Sequence, residues 1–206
     1  MRIGIFGGSF DPIHYGHLIL ADTCREQLAL DRVLLVPAAT SPLKLHGPRA
    51  SNEARAEMIR LAIGGTETLA IGTLEIERGG VSYTLDTVRA LQQRWAGNEW
   101  MLLLGADAVA SLDLWHEPAK LLRTIPFGVV LRGDDPPPDF ERAAELLDAV
   151  DRGGFQPRLV PMPRINLSST ELRQRVAESR SIRFRTPRAV EAYIAANGLY
   201  REERTP

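Results

Sequence analysis

Arg2-Ile3-Gly4-Ile5-Phe6-Gly7-Gly8-Ser9-Phe10-Asp11-Pro12-Ile13-His14-Tyr15-Gly16-His17 is the stretch from which the fold can be read. Arg2–Phe6 is short and apolar, a strand that ends in the Gly7-Gly8 pair. A helix is expected over Gly16–Leu28, where Leu18, Ile19 and Ala21 oppose Asp22 and Arg25. Gly7 and Gly8 let a ligand come close to the backbone, and Pro12 stiffens the loop. His14 and His17 are three residues apart, so at a helix start they point to one side. Two imidazoles beside a helix N-terminus make a donor-rich pocket for phosphate oxygens.

Outward from this unit the alternation continues. Val33–Pro37 reads as a strand, and Glu53–Ile63 as a helix with Met58, Leu61 and Ala62 on one side. Leu69–Leu74 alternates like a strand, and Thr84–Trp95 is a helix with an inner stripe of Leu85, Val88 and Leu91. Trp100–Leu104 is a continuous apolar run, the pattern of a central parallel strand covered on both faces. Phe127–Leu131 and Arg158–Pro161 are later strands around a helix near Phe140–Val150, which follows the stiff connector Pro136-Pro137-Pro138. Ser169–Glu178 and Pro187–Asn197 are the last helices, the second closed by Asn197-Gly198. The fold class is α/β: an open parallel sheet with helices on both faces. A single domain is expected over residues 1–200, with a small helical part at about 165–200 and a tail at 201–206. Ligands of such sheets sit beyond the carboxyl ends of the strands, where strand order reverses.

At 206 residues, 44% hydrophobic and 25% charged, the composition is that of an ordinary globular protein. No apolar run approaches the ~20 residues of a membrane helix, and the first residues reach glycine too early for a signal-peptide core. Cys24 is the lone cysteine, so an internal disulfide and a cysteine zinc cage are excluded and a reducing, cytoplasmic setting is expected. Within the first helix it reads as a small core residue. A net charge of −1 argues against a nucleic-acid partner, and nothing suggests a membrane. Arg158 to Arg188 nevertheless holds eight arginines against Glu171 and Glu178, which suits a polyanionic ligand. The acidic stretch Asp134–Asp151, relieved by Arg142, reads as solvated helix faces.

Other phosphate and hydrolase patterns fail at the first loop. The glycines do not follow G-x-G-x-x-G, no glycine precedes Lys44 or Lys120 as in a P-loop, and Asp11 stands where a G-x-S-x-G elbow needs glycine. As metal ligands, His14 and His17 lack the glutamate of H-E-x-x-H, and His46 and His116 add no ligand-like spacing. A second anion site is expected at Ser168-Ser169-Thr170. Ser168 with Glu171 is a capping box, but three hydroxyls in a row, followed one turn later by Arg173, also aim donors at one anion.

The first loop resembles the H-x-G-H signature of a nucleotidyltransferase superfamily, in the form G-G-[ST]-F-D-P-I-H-x-G-H of bacterial adenylyltransferases. Leu167-Ser168-Ser169-Thr170-Glu171-Leu172-Arg173 resembles its second signature, I-S-S-T-x-x-R, with leucine in place of isoleucine. Glu77-Arg78-Gly79-Gly80-Val81-Ser82-Tyr83-Thr84-Leu85-Asp86-Thr87 is similar to the E-x-x-R-x-G-x-S-Y-T-x-D-T segment of bacterial nicotinate-nucleotide adenylyltransferases, with the arginine–glycine spacing changed. Gly105-Ala106-Asp107 followed by Trp115 matches that family's G-x-D…W pattern, and Val190–Ile194 with Gly198-Leu199-Tyr200 its ending. The resemblance runs from Ile3 to Tyr200. One departure is Ser41-Pro42-Leu43-Lys44, where the family has P-P-H-K.

The resemblance implies a Rossmann-like sheet and adenylyl transfer from ATP to nicotinate mononucleotide, giving deamido-NAD and pyrophosphate without a covalent enzyme intermediate. It implies His14, His17 and Arg173 as catalytic residues, the histidines at the α-phosphate. Ser168, Ser169, Thr170 and Arg173 would hold the β- and γ-phosphates. Gly7, Gly8, Ser9, Phe10 and Gly105 complete the ATP site, with Asp107 on the adenosine half. Lys44, Ser82, Tyr83, Thr84 and Trp115 are the implied acceptor-binding residues. Thr84 at a helix start offers N–H groups to a carboxylate, and Trp115 a flat face for a pyridine ring. Core packing for Trp115 and a helix cap for Asp107 stay open beside these roles. Arg183, Arg185 and Arg188 line the ATP site or only the surface. Mg²⁺ is expected to arrive with ATP, without protein side-chain ligands. Transfer to nicotinamide mononucleotide or phosphopantetheine, a catalytically silent nucleotide-binding regulator, and a homo-oligomer are the alternatives left open.

Overall fold

In the computed structural model, residues 1–42, 47–133, 136–147 and 156–201 are described. Six strands form one sheet: β1 (Arg2–Gly8), β2 (Arg32–Pro37), β3 (Leu69–Ile71), β4 (Glu99–Gly105), β5 (Phe127–Arg132) and β6 (Arg158–Met162). All pairings are parallel and the order is β3-β2-β1-β4-β5-β6. Among the described residues the helices are α1 (Tyr15–Gln27), α2 (Asn52–Ile63), α3 (Leu74–Arg78), α4 (Thr84–Arg94), α5 (Ala106–Val109), α6 (Pro118–Thr124), α7 (Phe140–Ala144), α8 (Ser169–Ala177) and α9 (Arg188–Ala196).

The period-two alternation of strand side chains divides the core into two layers. Val33 and Leu35 of β2 and Met101 and Leu103 of β4 join α1, α2, α8 and α9 in one layer. Leu34, Val36, Leu102 and Leu104 face the other way, against α4 to α7. Continuous apolar runs in β2 and β4 thus follow from burial on both faces. Cys24 lies in the first layer without exposure, as expected of a small core residue. The chain leaves β1 toward the α1 layer and β4 toward the α4 layer, and these strands are neighbours. Their diverging loops open a crevice at the carboxyl edge between β1 and β4.

Two expectations need correction. Leu69–Leu74 is not a strand throughout: β3 stops at Ile71, and Leu74 opens the short helix α3, where the Glu77 N–H reaches the Thr73 carbonyl. Gly72 still donates its N–H to Leu35 O at 2.9 Å and packs closely on Leu34 and Val36, where a Cβ would press on both side chains. The helix expected near Phe140–Val150 is α7, ending at Ala144; residues 148–150, like most of the acidic stretch's ends, lie outside the described residues. Between β4 and β5, α5, a 3-10 turn at Leu112–Leu114 and α6 occupy a stretch in which periodicity shows no element. At the other end Asn197 caps α9, and Gly198 at φ 61° turns the chain, with the Leu199 N–H on Ile194 O.

Candidate active site

Ser9 to His14 link β1 to α1 at the carboxyl edge of the sheet. Phe10 folds beneath the loop, 1% exposed, edge-on to Phe6 and to His17 at centroid distances of 5.5 and 5.0 Å. Asp11 is buried as well. Its Oδ2 accepts from the Arg49 N–H at 2.8 Å, and its Oδ1 from the Ala50 N–H at 3.1 Å and the Tyr200 hydroxyl at 2.7 Å. Arg55 of α2 is fully buried and donates to Ser9 O, Ala38 O and Asn52 Oδ1 at 2.7, 2.7 and 2.5 Å. A carboxylate and a guanidinium that pattern analysis would assign to solvent are therefore the internal frame of the loop.

The two histidines share a side, as their spacing requires. His14 is the N-cap of α1, and its backbone N–H donates to His17 Nδ1 at 3.2 Å. The imidazoles stack with centroids 3.7 Å apart. With Nδ1 accepting, Nε2 is the ring nitrogen of His17 that carries the N–H. Burial, reinforced by the charge of Arg132, pulls the pKa of His14 down to about 4, so this ring is neutral at pH 7. Its Nδ1 is buried without a hydrogen-bond partner among the described residues.

The opposite wall is the start of α8. The Ser168 hydroxyl caps it, accepting from the Glu171 N–H at 3.1 Å, so the cap half of the expected box is formed. Ser169 Oγ donates to Pro12 O at 2.8 Å. Arg173 Nη1 donates to Asp11 O at 2.7 Å and Nη2 to Thr170 Oγ1 at 3.2 Å. The two ends of the chain thus enclose one cleft of about 540 Å³, lined by Ser9, Phe10, His14, His17, Asp107, Arg132, Ser168–Thr170 and Arg173. Arg132 ends β5 and escaped the sequence reading, although the rule that ligands gather at strand carboxyl ends points to it. Gly105 lines neither this cleft nor its neighbour; a Cβ there would meet the Asp107 carboxylate and lie 3.4 Å from Arg132 Nη2, contacts that these side chains can relieve by moving. Gly105, not Asp107, is the N-cap of α5; Asp107 stands in its first turn with access to the cleft.

A second pocket of about 340 Å³ adjoins the first. Gly7, Gly8, Ser82, Tyr83, Thr84, Trp115 and His116 line it, and Ser9 and Asp107 belong to both pockets. Gly7 and Gly8 line this pocket and not the larger cleft. Ser82 ties its own segment down, accepting from the Ala39 N–H through Oγ at 2.9 Å and donating its N–H to Thr40 O at 2.9 Å. Thr84 opens α4 behind Tyr83, and no side chain caps this helix start. Trp115 Nε1 is buried without a hydrogen-bond partner among the described residues. His116, absent from the expected set, lies on Tyr83 at 4.3 Å between centroids. Lys44 lies outside the described residues. Arg185 and Arg188 pair with Glu171 and Glu191 at 3.7 and 2.8 Å. Among the described residues, no group of three His, Cys, Asp or Glu is placed to hold a metal ion, and no helix is long and apolar enough to cross a membrane.

Residues 5–175 match the Cytidylyltransferase-like family. The chain is 45% identical over 199 residues to the probable nicotinate-nucleotide adenylyltransferase of Rhodopirellula baltica, covering 97% of this chain and 93% of the relative. It is 41% identical over 208 residues to the corresponding Thermus thermophilus protein, covering 98% and 100%. The fold is similar to that of Plasmodium falciparum nicotinic acid mononucleotide adenylyltransferase complexed with NaAD, with a TM-score of 0.76, 20% identity and 97% of each chain covered. With both terminal signatures meeting in one cleft and full-length likeness on top, the chain belongs to the nicotinate-nucleotide adenylyltransferase family of cytidylyltransferase-like proteins.

Proposed function

We propose that this protein transfers the adenylyl group of ATP to nicotinate mononucleotide, giving deamido-NAD and pyrophosphate for NAD biosynthesis. The observation that carries the reading is the junction of the two pockets at Ser9 and Asp107. ATP occupies the larger, histidine-lined cleft and the acceptor the smaller one, so that the reacting groups meet at the shared wall. An oxygen of the acceptor's 5′-phosphate attacks the α-phosphorus in line. The bond from that phosphorus to the bridging oxygen breaks, and pyrophosphate leaves with the electron pair. No protein nucleophile is required, so the enzyme contributes orientation and charge stabilisation. His17 donates from Nε2 to an α-phosphoryl oxygen, and His14 supports it in place. The N–H groups at the start of α8, with Ser168, Ser169, Thr170, Arg132 and Arg173, meet the remaining phosphate charge. Asp107 takes the adenosine half.

A carboxylate is favoured over an amide on the acceptor ring because the N–H groups of the first turn of α4 have no side-chain cap. Trp115 supplies the stacking face. Mg²⁺ carried on the triphosphate would neutralise charge on the leaving pyrophosphate. The phosphate oxygens suffice to bring it, in keeping with the carboxylate of Asp11 being occupied by donors of the protein. We assign the reaction to the cytoplasm, where a lone thiol such as Cys24 stays reduced. The test is pyrophosphate release with ATP, Mg²⁺ and, in turn, nicotinate mononucleotide, nicotinamide mononucleotide and phosphopantetheine. Fastest release with the first supports the assignment. A preference for another acceptor reassigns the substrate, and no release with any of them leaves a nucleotide-binding regulator.

A further inference from the structure

Three successive carbonyls of the catalytic loop are each held by a side chain from the far end of the chain. Asp11 O accepts from Arg173 Nη1 at 2.7 Å, Pro12 O from Ser169 Oγ at 2.8 Å, and Ile13 O from Thr186 Oγ1 at 2.8 Å. Immediately beyond, the Tyr15 N–H donates to Arg185 O at 3.0 Å. The loop's one buried carboxylate, on Asp11, receives the Tyr200 hydroxyl at 2.7 Å. Thr186 is 2% and Tyr200 8% exposed, and neither lines the cleft or the acceptor pocket. These two hydroxyls therefore have no route to substrate. Apart from a 4.0 Å contact of the Tyr200 hydroxyl with Met58 Sδ, their polar contacts are with the segment that ends in His14.

We propose that Thr186 and Tyr200 are positioning residues, which together with Ser169 and Arg173 splint Asp11–His14 and so set where the two imidazoles stand. A peptide carbonyl fixes the plane of the peptide that follows it. Anchoring three consecutive carbonyls leaves the backbone from Asp11 to His14 little freedom of rotation. His14 in turn holds His17 through its own N–H. Geometry therefore passes from the C-terminal helices to the donor of the transfer step, where a displacement of an ångström is costly. Part of the I-S-S-T-x-x-R-like segment's work would be this splinting, in addition to binding phosphate.

The kinetic arm of the test rests on the adenylyl-transfer reading; the exchange arm does not. Thr186→Val keeps the side chain's shape and removes the hydroxyl, Thr186→Ser keeps the hydroxyl, and Tyr200→Phe removes only the O–H. Expected for Thr186→Val and Tyr200→Phe is a kcat lowered about tenfold or more with the KM for ATP within about threefold, Thr186→Ser returning close to the parent. In the ligand-free protein, amide protons of His14, Tyr15 and His17 should exchange faster in Thr186→Val, while those of β1 and β4 keep their rates. Unchanged kcat, a loss confined to the KM for ATP, or exchange accelerated evenly through the sheet would each overturn the proposal. If the parent protein releases no pyrophosphate, the adenylyl-transfer reading fails, and the exchange pattern alone decides the splint.

Discussion

The imidazole of His14 lies over that of His17, centroids 3.7 Å apart and planes inclined by 24°, while the His14 N–H bonds His17 Nδ1 at 3.2 Å. Two imidazolium rings would not rest in this arrangement, because like charges at that distance repel. The pair has one buried neutral member, His14, and one member, His17, whose Nε2 N–H is the donor in the proposed transfer step. The stack thus divides the work between two chemically identical side chains.

His17→Ala removes that donor. Loss of one preorganised donor at a developing charge lowers kcat by about 10² to 10³-fold. Pyrophosphate release measures it, with an unchanged circular dichroism spectrum as the control for folding. Turnover within a few-fold of the parent would end the role assigned to His17.

The depressed pKa of His14 makes stability depend on pH. Between 6.5 and about 4 the unfolded chain binds a proton at this residue that the folded protein does not. Stability is therefore complete above pH 6.5 and declines as pH falls through that window, by about 3 kcal/mol at most. Urea midpoints at pH 7 and 4.5 should differ more for the parent than for His14→Asn. Parallel curves would show that His14 titrates normally.

Trp115 lines the pocket proposed for the acceptor, so Trp115→Ala should raise the KM for nicotinate mononucleotide and leave that for ATP near its original value. Stacking of a base on an aromatic ring is worth about 1–3 kcal/mol, or roughly tenfold to a hundredfold in affinity. Trp115→Phe should fall between. Equal effects on both substrates would indicate that the residue only packs.

Arg55 is a stability element of the first loop. Arg55→Met retains much of the volume but strands Ser9 O, Ala38 O and Asn52 Oδ1. Leaving a buried acceptor without its donor costs about 1–3 kcal/mol, readable as a shifted denaturant midpoint. A shift equivalent to less than about 1 kcal/mol would mean that water replaces the guanidinium without penalty.

Local sequence was sufficient wherever a neighbour along the chain supplied the physics. The order of the six strands and of α1, α2, α4, α7, α8 and α9 follows from apolar periodicity, and the pairing of His14 with His17 from their spacing. Ser168 as the cap of α8 and Asn197-Gly198 as the stop of α9 are equally local. Where periodicity was short or absent, it misled or fell silent: α3 continued the alternation of β3, and α5 and α6 are too brief to show a face.

The chain by itself therefore determined the order of its strands and main helices and the chemical character of its loops, because both depend on residues within a turn or two of one another. Tertiary structure alone decided that Asp11 and Arg55 belong inside, that Gly7 and Gly8 border the second pocket, and that Arg132 joins the cleft. It also decided which hydroxyls hold the first loop, since Thr186 and Tyr200 stand 173 and 189 residues from their acceptors on Ile13 and Asp11. Buried polar groups are satisfied by whatever partners the completed fold brings near, and no local pattern encodes a partner so distant in the chain.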